Sequence, residues 1–271
     1  MEQIIFYLLI FSIGTLFGSF FTLAVYRIPL HQDITHKRSY CPNCNHKLSF
    51  WDMIPILSYL FLGGKCRYCK QKIRIRYVLL EIGTGIVFLL FAMSLNISFV
   101  SIDQNKLIYL VFGTLYIAGL IIIAGIDKEK HKIEKSVIIY EFLIIVAYMV
   151  YLYTVEKANI YRYAIYLFLL FLFLIIDNTY LKKKLNTHYP TEILELSMIM
   201  AIFGGEITYI VSVILCFLTI AIEKIERSIL TRKNKVAKRD VSYYKNLSIG
   251  FYLSLSNIIS FIIVNGIACR W

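Results

Sequence analysis

CPNCNHKLSFWDMIPILSYLFLGGKCRYC, residues 41–69, sets two Cys-x-x-Cys pairs 21 residues apart, a spacing met in soluble zinc ribbons. The sequence on either side is of another kind. Upstream lies MEQIIFYLLIFSIGTLFGSFFTLAVY (1–26) and downstream an apolar run over 77–98. The upstream run has Glu2, no early Lys or Arg, and too long an apolar stretch for a signal-peptide core. It reads as a retained first spanning helix. Further apolar blocks follow at 107–126, 137–154 and 161–180, then 191–222 interrupted by Gly204-Gly205-Glu206, then 247–267.

Composition agrees. The 271 residues are 59% hydrophobic and 17% charged, against roughly 45–50% and roughly 25% in soluble domains. Most of the blocks are about 17–25 residues long, enough to cross a hydrocarbon core ~30 Å thick. No soluble helical bundle needs so many uninterrupted apolar runs. The fold class is an all-α polytopic membrane protein. Reading 191–222 as two short helices that meet at the glycine pair brings the count to about eight spans. WDMIPILSYLFLGG (51–64) is apolar but too short to span and is interrupted by Pro55, so it is expected at the membrane interface.

Charge tests the topology. Between Arg27 and Arg76 there are ten basic residues and two acids, Asp33 and Asp52, a balance of +8. KEKHK (128–132), KKK (182–184) and EKIERSILTRKNKVAKRD (223–240) are also basic. Eight spans with the N-terminus outside place all four on one side, which the positive-inside rule makes cytoplasmic. SIDQNK (101–106), EKAN (156–159) and both termini fall opposite. The net charge of +12 is thus explained by topology, and a membrane-anchored zinc protein that binds nucleic acid is the weaker alternative.

Cys41, Cys44, Cys66 and Cys69 are the expected metal ligands. A reducing cytoplasm disfavours disulfides, and four thiolates complete a tetrahedral zinc shell with no position left for a catalytic water. The zinc is therefore expected to be structural, pinning a loop too small to form its own core. Redox-active pairs are the alternative, and His36 and His46 are substitute ligands. Cys216 reads as a small core residue and Cys269 has no assigned role.

GSFFTLAVYRIP (18–29), CPNCNHKLSFWDMIPILSYL (41–60) and GGKCRYCKQKIRIRYVLLE (63–81) resemble the N-terminal half of type IV prepilin peptidases, membrane aspartic peptidases that also N-methylate their product. The resemblance implies about eight spans and a cytoplasmic zinc-ribbon-like loop after the first helix, and a place in a bacterial cytoplasmic (inner) membrane. It implies prepilin-like precursors as partners, their leader cut at the cytoplasmic face, with the loop docking the substrate. The organisation it suggests is an N-terminal region 1–98, with the four-cysteine loop at 27–76, and a membrane-embedded aspartic peptidase-like helical region 99–271.

Such peptidases need two carboxyls around one water, with one proton shared because two like charges so close cannot both ionise. Asp127, in IDKEKHKI (126–133), resembles the family's first aspartate motif, which usually continues into Pro-Asp where this chain has Glu134-Lys135. The second motif, G-x-G-D-x-K, aligns on HYPTEILELSMIMAIFGG (188–205) with Thr191 at the glycine, Glu192 at the aspartate and Leu194 at the lysine. Asp127 and Glu192 are the expected catalytic pair, with Glu195 and Asp177 as fallback partners. Thr191 before Glu192 and Glu195 also reads as an ordinary helix start. By resemblance, Glu81 belongs to the methylation half, with S-adenosylmethionine as donor; no glycine-rich nucleotide loop supports that site independently. A relative altered at the second acid, which methylates or assists pilin assembly without cleaving, is the competing reading.

Overall fold

The computed structural model describes residues 2–34, 39–97, 103–155, 161–176, 189–232 and 248–268. The described part is helical. Its elements are α1 (Glu2–Arg27), α2 (Leu57–Phe61), α3 (Arg76–Ser94), α4 (Gln104–Lys130), α5 (Lys135–Thr154), α6 (Tyr161–Ile176), α7 (Tyr189–Arg232) and α8 (Ile249–Ala268). Among the described residues, extended pairing is limited to two isolated bridges, Tyr40 with Lys47 and Lys65 with Lys72.

Six of these helices are long and apolar enough to cross a membrane. The shorter α6 falls on the expected fifth span. The 44 residues of α7 would rise ~66 Å as one straight helix, about twice the hydrocarbon thickness. They are broken at Gly205, whose φ of 80° and ψ of 166° lie in a region that only glycine occupies cheaply. This break is where the sequence predicts that two short helices meet.

The chain forms two compact units, Met1–Thr114 with Asn265–Trp271, and Leu115–Val264, so the division falls inside α4 and α8. In the first unit α1 packs on α3 through Gly14 and Gly18. A Cβ on Gly14 would stand 2.8 Å from the Gly85 Cα, and one on Gly18 would stand 2.7 Å from the Glu81 Cα. This is small-residue packing, which lets two spanning backbones approach without the hydrophobic effect to drive them.

In the second unit an aromatic cluster ties four elements together. Tyr116 of α4 stacks on Phe203 of α7 with centroids 4.4 Å apart, and both rings meet Phe261 of α8. Phe203 also meets Tyr148 of α5. The Tyr116 hydroxyl donates to Asn257 Oδ1 at 2.7 Å, as a buried tyrosine requires.

Candidate active site and four-cysteine centre

Asp127 stands near the end of α4 in the second unit. It lies one turn from the end of α4, whose last turn carries Lys128 and Lys130 in the position that favours cations. The helix stops at His131, which turns left-handed at φ 51° and bonds its N–H back to the Asp127 carbonyl. The Asp127 side chain is fully buried. Its Oδ2 accepts from the Tyr189 hydroxyl at 2.9 Å and from the Phe251 N–H at 2.8 Å, at the first turns of α7 and α8. Gly250 lets the backbone approach closely, since a Cβ there would stand 3.1 Å from that same oxygen, a tight contact. Ser248 closes the corner, its hydroxyl 3.2 Å from the Asp127 carbonyl and 2.8 Å from His131 Nδ1. Asp127 Oδ1 has no hydrogen-bond partner among the described residues.

Glu192 sits one helical turn after Tyr189, buried in the first turn of α7. Its Oε2 accepts from the N–H of Ile133 at 3.3 Å, in the short link between α4 and α5. Tyr189 and Ile133 thus bring both expected acids to one junction of α4, α7 and α8. Thr191 and Glu195 are buried as well. Asp177, His36 and Cys269 lie outside the described residues.

One acid escaped sequence reasoning. Glu141, on α5, is fully buried, and neither carboxylate oxygen has a hydrogen-bond partner among the described residues. Its carboxylate fills the space where a Cβ of Gly119 would stand. The available signal was a single acid inside the apolar run IIYEFLIIV (138–146), a rare event that marks function or a partner.

The four-cysteine loop belongs to the first unit and repeats one local device twice. The Cys41 N–H bonds the His46 carbonyl, and Asn45, left-handed at φ 57°, bonds back to Cys41 O. The Cys66 N–H bonds the Gln71 carbonyl, and Lys70, left-handed at φ 59°, bonds back to Cys66 O. The His46 ring lies on Tyr68 across the two turns, with centroids 3.5 Å apart. All four sulfurs fall within 4.8 Å of one another, and the Cys41 and Cys69 sulfurs are 3.8 Å apart. Four sulfurs at ~2.3 Å around a tetrahedral zinc stand ~3.8 Å apart, whereas a disulfide needs ~2.05 Å. The cluster could hold a metal, and its spacing fits zinc. The N–H of Gln71 and the Asn43 amide lower the Cys69 thiol to about 6, whereas at Cys44 the His46 N–H is outweighed by burial and the neighbouring Cys41 and Cys69, which hold the thiol up at about 11.

Asp52 joins the two halves of this loop. It caps the short 3-10 turn Phe50–Met53 through the Ser49 hydroxyl at 2.7 Å and meets Arg67 of the second pair at 2.7 Å. Burial pushes its carboxyl up, but Ser49 and Arg67 outweigh burial and hold it below its ordinary range. Glu81, five residues into α3, is buried against α1, and its Oε2 accepts the N–H of Ile56 at 2.8 Å. Ile56 has φ 62° and ψ −54°, a costly conformation for a β-branched residue.

Comparison with known proteins places the first of these regions. Residues 12–95 match the Bacterial Peptidase A24 N-terminal domain. A protein named Prepilin leader peptidase/N-methyltransferase from Vibrio cholerae is 42% identical over 90 residues, 30% of this chain and 36% of that protein. One of the same name from Bacillus subtilis is 34% identical over 132 residues, 49% of this chain and 50% of that protein. A third, from Myxococcus xanthus, is 42% identical over 84 residues and is covered over 25% of its length. The matches therefore span half or less of these relatives. No solved structure matches.

Proposed function

We propose that this chain, whose N-terminal region belongs to the type IV prepilin peptidase family, is a membrane aspartic endopeptidase that removes the leader of prepilin-like precursors at the cytoplasmic face of a bacterial inner membrane. The observation that carries the reading is the junction around Asp127. One carboxylate oxygen is fixed by two donors, while the other has no partner among the described residues. Glu192 stands one turn beyond the donor Tyr189. A water between the two acids would lose a proton to one carboxylate as it attacks the scissile carbonyl. The other acid, protonated, would polarise that carbonyl.

Cys41, Cys44, Cys66 and Cys69 would hold a structural zinc that pins the loop through which a precursor would approach, and the chemistry of cleavage stays with the carboxyls. N-methylation with S-adenosylmethionine rests on the resemblance and on the relatives' printed name. Glu81, the residue it would assign, already has its carboxylate turned to the Ile56 N–H.

The test is processing of a co-expressed prepilin, followed by the gel shift on leader loss. Asp127→Asn is expected to abolish it and Glu192→Gln to do the same, while Glu192→Asp retains or raises activity. Cleavage that survives Glu192→Gln but not Asp127→Asn moves the pair to Glu195 or Asp177. A wild-type chain that cleaves nothing selects the second reading, a relative that binds or methylates pilins. That reading is favoured by Thr191, Glu192 and Leu194 standing where the family motif has Gly, Asp and Lys.

A further inference from the structure

The segment between the two cysteine pairs carries an apolar edge open to its surroundings. Phe50 is 71% exposed, Trp51 70%, Leu60 66% and Phe61 85%. An isolated apolar side chain on a surface needs no explanation, but two adjacent pairs of large ones on a twelve-residue segment do. Exposed cations lie around it in the chain: Lys47, Lys65, Arg67, Lys70, Lys72 and Arg74. The acid among them, Asp52, is taken up by Ser49 and Arg67.

The first unit also fixes where this edge lies along the spanning helices. The loop leaves α1 at Arg27 and enters α3 at Arg76, so both of its ends are at one membrane boundary. Its middle is drawn back toward the helices. The Ile56 N–H bonds Glu81, which lies five residues inside α3, ~7.5 Å along the axis. Ile56 makes this bond from a strained backbone, and α2 begins at the next residue. Leu60 and Phe61 follow on α2, both exposed.

We propose that residues 50–61 are a membrane-interface anchor. Phe50, Trp51, Leu60 and Phe61 enter the boundary between headgroups and acyl chains. The neighbouring lysines and arginines bind anionic headgroups, and Glu81 sets the depth through Ile56. Aromatic and aliphatic side chains beside clustered cations are the chemistry that an anionic lipid surface recognises. The anchor would hold the cysteine centre flat against the membrane, and it does not depend on whether the chain cleaves prepilins.

Tryptophan fluorescence of the full-length protein tests this, because Trp51 and Trp271 are the only tryptophans. The Trp271→Phe variant leaves Trp51 as the sole reporter in vesicles of phosphatidylcholine and phosphatidylglycerol. Lipids brominated near the top of the acyl chain are expected to quench Trp51 strongly, lipids brominated near its end weakly, and aqueous iodide hardly at all. Brominated phosphatidylglycerol should quench better than brominated phosphatidylcholine, and Lys72→Gln with Arg74→Gln should reduce that preference roughly two- to five-fold. Glu81→Ala should move Trp51 toward iodide. Full quenching by iodide with none by either bromolipid overturns the anchor. So does protection from iodide that appears only when a prepilin-derived apolar peptide is added, which would make the edge a peptide-binding face.

Discussion

Tyr189 and Glu141 are the residues on which the second unit can be tested most sharply. The Tyr189 hydroxyl donates to Asp127 and accepts the Gly250 N–H at 3.2 Å, so Tyr189→Phe removes both bonds and almost no volume. A hydrogen bond to a charged group is worth about 1.5–3 kcal/mol, so cleavage is expected to fall roughly ten- to a hundred-fold. The loss should appear in kcat with KM little changed, which steady-state processing of a purified precursor measures. Gly119 and Glu141 compete for the same space. Gly119→Ala alone should lower the melting temperature in detergent. Glu141→Ala makes room, so the double variant should lose less than the two single losses added, a coupling of about 0.5–3 kcal/mol.

At the scale of elements, the α1–α3 crossing depends on one backbone contact repeated a turn apart. Gly18→Val places a branched side chain where even a Cβ meets the Glu81 Cα. A cost of about 1–3 kcal/mol is expected, read as a lower melting temperature and a weaker Ile56–Glu81 attachment. The cysteine loop depends on Asp52 instead. Asp52→Ala should speed zinc release to a chelator, because both the cap at Ser49 and the tie to Arg67 are lost. The pH dependence has a definite sign. A carboxyl held below its ordinary range stabilises the fold above its unfolded value and loses that contribution as pH falls through the folded one. The tie therefore persists at neutral pH and fails only as pH falls below the ordinary carboxylate range. Zinc lost from the wild type at higher pH reflects thiolates taking up protons.

For the whole molecule, metal content and topology are the tests. One zinc per chain is expected, lost when Cys41 and Cys44 are both changed to Ser, with metal analysis as the readout. Purified folded protein with two disulfides and no metal would end the zinc reading. If the basic loop 27–76 lies inside, as the positive-inside rule expects, a thiol reagent that cannot cross the membrane should leave Cys66 unlabelled in intact cells. Labelling of Cys66 from outside would reverse the topology.

The span pattern, the four-cysteine cluster and the break near Gly205 were legible without coordinates, because each is a local property. A run of apolar residues needs no partner to be recognised as a span, two Cys-x-x-Cys pairs carry their own ligand geometry, and a Gly-Gly inside an oily run announces a break. The family resemblance was legible for the same reason in 18–81, where short motifs follow one another in order. Other features depend on residues far apart in the chain. That Tyr189 and the Phe251 N–H hold Asp127, that Glu81 holds Ile56, and that Glu141 fills the space beside Gly119 are contacts across 62, 124, 25 and 22 positions. Helix periodicity specifies which face of a helix is apolar but not which helix it meets. In lipid, where side chains gain little from leaving their solvent, close backbone approach and buried hydrogen bonds make that choice, and only the tertiary structure contains them.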